Sequence, residues 1–133
     1  MTVAAAPLAI VPVRGALPAG FDTLQSEARA EGHTHMDRLA ADWASGALRF
    51  DAPGEALLLA FQGMDLAGLG GITLDTADPA ALRLRRFYVR PAFRRCGIGR
   101  ALAEPLIDAA RRTGRRVVLN APATAAAFWE ALG

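Results

Sequence analysis

Lysine is absent from this sequence, so all fifteen of its strongly basic side chains are arginine. Every such cation is therefore a planar guanidinium, a fork suited to carboxylate and phosphate oxygens, although codon bias explains the bias as readily. The lone cysteine, Cys96, excludes an internal disulfide framework and fits a reducing compartment. No apolar run approaches the roughly 20 residues needed to cross a bilayer, so a membrane partner is not expected. The opening MTVAAAPLAIVPVRG lacks a basic start and carries Pro7 and Pro12 within its apolar part. It reads as an edge strand rather than a signal peptide. The expectation is a soluble cytoplasmic protein. Only two histidines occur, His33 and His35 around Thr34, and no further His or Cys completes a metal site. No metal is expected.

What the chain does have is apolar material and a divided charge. With 53% hydrophobic residues in 133, residues 1–133 suffice for one domain and one core. Residues 1–80 hold four arginines against ten acids, whereas residues 81–133 hold eleven arginines against Glu104, Asp108 and Glu130. A polyanionic ligand on the C-terminal half follows from that asymmetry. Nucleic acid is disfavoured, because the aromatics are not interleaved with the arginines as a stacking platform.

Periodicity sets the element order. Leu8 to Val13 alternates loosely as a first strand, and Phe21, Leu24 and Ala28 recur at helical spacing. Met36, Leu39, Ala40, Trp43 and Ala47 form one apolar stripe of a second helix. Thr34 and Asp37 resemble a capping box at its start. Two apolar runs, Ala56 to Phe61 and Leu66 to Leu74, flank Gln62-Gly63-Met64-Asp65 as a hairpin. Gly68, Gly70 and Gly71 within the second run imply a bulge or a close backbone approach. Leu82 to Val89 reads as another strand, stopped at Arg90-Pro91. A helix from Ile98 to Arg112 buries Leu102, Leu106 and Ala109–Ala110, with Pro105 expected to kink it. Val117 to Leu119 then forms a short strand, and Thr124 to Leu132 a terminal helix. The fold class is mixed α/β, with an α+β-type mixed sheet.

Between strand and helix lies Arg94-Arg95-Cys96-Gly97-Ile98-Gly99-Arg100-Ala101. Its glycines permit a tight turn, and the first amides of a helix starting there lack internal partners and favour an anion. This is a pyrophosphate cradle. A Rossmann fingerprint would need glycine at Leu102, and no P-loop Gly-Lys-Ser/Thr is present.

The run LRRFYVRPAFRRCGIGRAL, with Arg94-x-x-Gly97-x-Gly99 after a Tyr-Val strand end, resembles the acyl-CoA-binding core of the GNAT (Gcn5-related) N-acetyltransferase superfamily. The tail ATAAAFWEALG is similar to that family's terminal-helix pattern. The resemblance implies a GNAT-like acyl-CoA N-acyltransferase fold, apparently lacking the last two strands. It implies acetyl-CoA as co-substrate and a small amine or peptide amine as acceptor. The main chain of Phe87, Tyr88 and Val89 would pair with the pantetheine arm. The amides of Arg95, Cys96, Gly97, Ile98, Gly99, Arg100 and Ala101, with the Arg94 and Arg100 side chains, would hold the pyrophosphate. Asn120, Phe128 and Trp129 would complete the cofactor contacts.

For catalysis the resemblance implies a Val89-end backbone N–H as oxyanion donor. The sequence departs from the family at two catalytic positions. Arg83 stands where relatives often carry a Glu base, and Trp129 where they often carry a Tyr acid. Tyr88 is the substitute acid; Glu31, His33 and His35 border the implied acceptor pocket, where either histidine could serve as base near neutral pH and His33 is the one named. The strand Arg116 to Asn120 would lack its usual neighbours, an edge through which a homodimer would form. Two functions remain: an acetyl-CoA-dependent N-acetyltransferase, or a catalytically weak acyl-CoA-binding module.

Overall fold

A computed structural model of the chain describes residues 7–78 and 80–119. Five strands form one sheet in sequence order: β1 (Leu8–Pro12), β2 (Ala56–Gln62), β3 (Asp65–Leu74), β4 (Ala81–Val89) and β5 (Arg116–Leu119). The first four are antiparallel neighbours, and β5 runs parallel to β4. Among the described strands β1 lies at the edge, which suits its Pro12, since proline cannot donate to a central ladder. The β2–β3 hairpin closes where Gln62 pairs with Asp65. Its two-residue turn is made possible by Gly63 at φ 62°.

Helices cover both faces. On one, α1 (Phe21–Ala30) and α2 (His35–Ser45) bury Phe21, Leu24, Ala28, Met36 and Leu39 against Leu57, Leu59, Leu69 and Tyr88. On the other, α3 (Ile98–Arg112) presses Ala103, Leu106 and Ala110 onto Ile72, Leu82 and Leu84, while Ile98 and Leu102 meet Ala60, Ala67 and Val89. Each fully buried leucine contributes roughly 1.5–3 kcal/mol of transfer free energy. Leu24, Leu39, Leu69, Leu82 and Leu102 all have no exposed surface, so the core spans both faces.

Two local expectations are corrected. Thr34 is the N-cap of α2 but makes no side-chain cap hydrogen bond. Asp37 is drawn away by α1, accepting from Gln25 at 2.7 Å and from Arg29 at 2.6 Å. A charged fork outcompetes the capping box. In α3, Ala110 is buried but Ala109 is exposed. Pro105 lies inside the helix on its exposed side, where water can satisfy the Ala101 carbonyl it leaves without a donor.

The feature that positions the site is a bulge between β3 and β4. Leu69 pairs with Tyr88 and Gly71 with Arg85, so Gly70 alone faces both Arg86 and Phe87. Arg86 absorbs the extra residue at φ 65°. Strict alternation would put Tyr88 on the face of Leu82 and Leu84, under α3. The extra residue reverses the phase: Phe87 and Val89 go to the α3 face, and Tyr88 goes under α1 and α2. The glycines of β3 make room for this. A Cβ on Gly70 would stand 2.5 Å from the Phe87 ring, and one on Gly68 2.8 Å from the Tyr88 carbonyl oxygen.

Candidate active site

β4 and β5 pair only from Ala81 to Leu84 and from Arg116 to Leu119. The described part of β5 does not reach the stretch of β4 from Arg85 to Val89. The Arg90 N–H donates to the Ala67 carbonyl at 2.8 Å. Antiparallel ladders alternate, so the neighbouring Val89 N–H and C=O point to the opposite edge. The Val89 carbonyl there accepts from Arg94 Nε at 2.9 Å, and the Phe87 carbonyl meets His35 Nε2 at 2.8 Å. One strand edge thus presents main-chain groups next to side chains from α2 and the following turn.

That turn leads into α3. Pro91 ends the strand, a short 3-10 turn spans Pro91–Phe93, and Arg95 and Gly97 take φ of 65° and 77°. The first intrahelical bond runs from the Ala101 N–H to the Gly97 carbonyl at 3.0 Å. The Ile98 and Gly99 N–H groups precede it and have no carbonyl within the helix to bond. Among the described residues, a Cβ on Gly97 would touch nothing within 4 Å, so they leave the space beside the helix start open. Cys96 is exposed, its thiol 3.5 Å from the Arg94 carbonyl oxygen. Amides, helix dipole, exposed arginines at 95 and 100, and open space together fit a phosphate group.

Below the strand edge three rings converge. His33 and His35 meet edge-on at 5.6 Å between centroids, and Tyr88 lies 6.2 and 5.8 Å from them. The Tyr88 hydroxyl donates to Glu31 Oε1 at 2.5 Å, and Arg94 grips Glu31 at 2.5 and 2.8 Å while lying over the Tyr88 ring. Arg94 and then Tyr88 hold the Glu31 carboxyl down at about 2. Burial, reinforced by the Glu31 carboxylate, pushes the Tyr88 phenol well above its ordinary value. Burial lowers the His35 imidazole below 6.5 against the opposing pull of the Phe87 carbonyl. A neutral His35 bonded to a carbonyl must carry its proton on Nε2, which leaves Nδ1 as a free-electron-pair acceptor.

The structure therefore gathers Tyr88, His33, His35 and Glu31, all named from the sequence, from elements more than fifty residues apart. It gives Arg94 a different first partner: its guanidinium lies on Glu31 and the Val89 carbonyl. Arg83 is tied to the buried Asp75 at 3.2 Å. Asn120, Phe128 and Trp129 lie outside the described residues. Sequence reasoning missed the neighbouring pair Arg90–Glu27, at 2.8 and 3.1 Å, which anchors α1 to the end of β4. The acid excess of the N-terminal half was the available signal. Among the described residues, no three His, Cys, Asp or Glu groups could hold a metal, and no helix is long and apolar enough to cross a membrane.

A sequence model of the acetyltransferase (GNAT) family matches residues 17–133. No curated protein matches by sequence. Among solved structures, a protein assigned as an acetyltransferase from Exiguobacterium sp. 255-15 superposes with a TM-score of 0.82 at 26% identity. The match covers 96% of this chain and 84% of that one. A GNAT-family protein from Desulfovibrio desulfuricans gives 0.67 at 20% identity, over 96% and 84% of the two chains. Glucosamine-6-phosphate N-acetyltransferase from Arabidopsis thaliana gives 0.57 at 15%, over 96% and 90%. The latter two show a shared fold.

Proposed function

The chain belongs to the GNAT acetyltransferase family, and on that premise we propose that it transfers the acetyl group of acetyl-CoA to a primary amine by direct attack within a ternary complex. The observation that carries this reading is the adjacency of the open α3 start, the outward Val89 edge and the His35–Tyr88 pair. The amides from Arg95 to Ala101 and the Arg100 side chain hold the pyrophosphate, with Arg94 moving from Glu31 when phosphate arrives. The pantetheine arm pairs along Phe87 to Val89 as an added strand.

The Val89 N–H stabilises the oxyanion formed as the amine attacks the thioester carbon. His35, neutral and facing an amine, accepts the proton the nitrogen loses, and the exposed His33 passes it to solvent. The tetrahedral intermediate collapses by breaking the C–S bond. The thiolate takes a proton from Tyr88, which its raised pKa keeps protonated. Amine plus thioester gives amide plus free CoA thiol, with protons balanced through the solvent. Holding the reactants together supplies much of the rate by itself. Two copies pairing along β5 belong to the same reading.

A second reading, an acyl-CoA-binding module of low activity, is favoured by one fact: the Tyr88 hydroxyl is committed to Glu31. Thermal stabilisation by acetyl-CoA, followed by CoA release across polyamines, amino acids, aminoglycosides and peptides, separates the two. Turnover on any amine supports the enzyme, and stabilisation without turnover supports the module. No stabilisation at millimolar acetyl-CoA overturns both.

A further inference from the structure

On the face covered by α1 and α2, beyond the rings of Tyr88 and His35, lies a cavity of about 380 Å³ lined in part by Asp42, Glu55, Thr73, Thr76 and Arg85. Two of its polar atoms are buried without a hydrogen-bond partner among the described residues: Thr73 Oγ1 and Arg85 Nε. Thr73 is only 1% exposed. The acids nearby are already engaged. Asp42 sits 3.4 Å from Arg86, and Glu55 accepts the Leu74 N–H at 3.0 Å and the Ala52 N–H at 3.3 Å. Burial and the charges of Arg86 and Arg83 work against the Arg85 cation, outweighing the help of Asp42 and Glu55. A guanidinium N–H and a hydroxyl, both buried and both without an acceptor among the described residues, belong to two residues that line one cavity.

Because the bulge falls between them, Arg85 and Tyr88 share a face of the sheet. Two independent measures set their separation. Three strand residues, shortened by the bulge, span about 7–10 Å, and the seven residues of α2 from His35 to Asp42 rise about 10 Å. An acceptor that joins the rings to the cavity must span about that distance.

We propose that this cavity is an anion pocket for the acceptor: the amine substrate carries a carboxylate or phosphate that Arg85 and Thr73 bind while its nitrogen reaches Tyr88 and His35. The proposal rests on the acetyl-transfer reading and narrows it to anionic amines. Both anions accept from a guanidinium edge and a hydroxyl, so the shared chemistry is an oxyanion held at a fixed distance from the amine.

The test uses the purified full chain with three homologous series: linear ω-amino acids, aminoalkyl phosphates and plain alkylamines of matching length. One anionic series is expected to exceed its neutral counterpart in kcat/KM by roughly tenfold or more, the size of a hydrogen bond to a charged group. Which series does so identifies the anion. The ratio collapses toward unity in Arg85→Gln, falls partway in the near-isosteric Thr73→Val, and is partly kept in Arg85→Lys, so one unfolded variant does not remove the test. Thermal shifts by the longer ω-amino acids and by inorganic phosphate, read without acetyl-CoA, give a second readout. Arg85-dependent stabilisation with no acetylation of any amine supports the pocket and removes the transfer reading. Equal kcat/KM for charged and neutral acceptors, a preference that survives Arg85→Gln, or neither turnover nor stabilisation overturns the pocket.

Discussion

The Tyr88 hydroxyl donates to Glu31 at 2.5 Å, joining the end of β4 to the end of α1 across 57 positions of sequence. The same carboxylate holds Arg94. The proton proposed for the leaving thiolate and the cation proposed for the pyrophosphate are thus tethered to one acid, which must release both for turnover.

Tyr88→Phe keeps the buried ring and removes only the hydroxyl. A general acid contributes about 100-fold or more, so kcat is expected to fall by that order while the KM for acetyl-CoA stays within about threefold. Steady-state kinetics check this. An unchanged kcat would remove Tyr88 from proton transfer.

Glu31→Gln isolates a pH dependence whose sign is fixed. The folded carboxyl titrates near 2 and the unfolded one near 4.5. Its stabilisation is therefore fully present above about pH 4.5 and lost as pH falls toward 2. The Tm difference between wild type and Glu31→Gln should be largest above pH 5 and shrink with acidification. Because Glu31 is exposed, solvent screening keeps that difference small. A difference that grows on acidification would contradict the ion pair.

His35 titrates below its usual 6.5 because burial disfavours the imidazolium. If its neutral form accepts the amine proton, the acid limb of kcat/KM has its midpoint below 6.5. His35→Gln should lower kcat/KM by roughly 100-fold and abolish that limb. A limb unchanged in His35→Gln would assign it to another group.

The element order as far as β5 was legible because local signals agree with it: a continuous apolar run in β2, apolar alternation in β4, a helical stripe through Met36, Leu39 and Trp43, and a proline that suits β1 to an edge. The turn into α3 was legible too, since Gly97 at a helix start carries its conformational requirement in its own residue type. The side on which Tyr88 stands was not. Alternation counts residues, and the extra one at Arg86 shows in the sequence only as glycines on the opposite strand. The diversion of Arg94 to Glu31 and of Asp37 to Arg29 was equally hidden, because each depends on helices brought together by the core.

Gly68→Ala tests that strand approach. Its Cβ would lie 2.8 Å from the Tyr88 carbonyl oxygen, which is backbone and cannot rotate away. Overpacking of this kind costs about 1–3 kcal/mol, or roughly 4–11 °C in Tm for a chain of this size. Calorimetry checks the cost, and an unchanged Tm would show that β4 does not press on Gly68.

The central claim, that the start of α3 receives the CoA pyrophosphate, is tested most directly by calorimetric titration of acetyl-CoA into Gly97→Asn and Gly97→Asp. Both side chains tolerate the positive φ of this position, and they differ in one charge. A carboxylate within several ångströms of a phosphate costs about 1–4 kcal/mol. The aspartate variant should therefore bind at least about fivefold more weakly than the asparagine one, with the gap narrowing as salt rises. Equal affinity of the two variants would contradict the placement of the site.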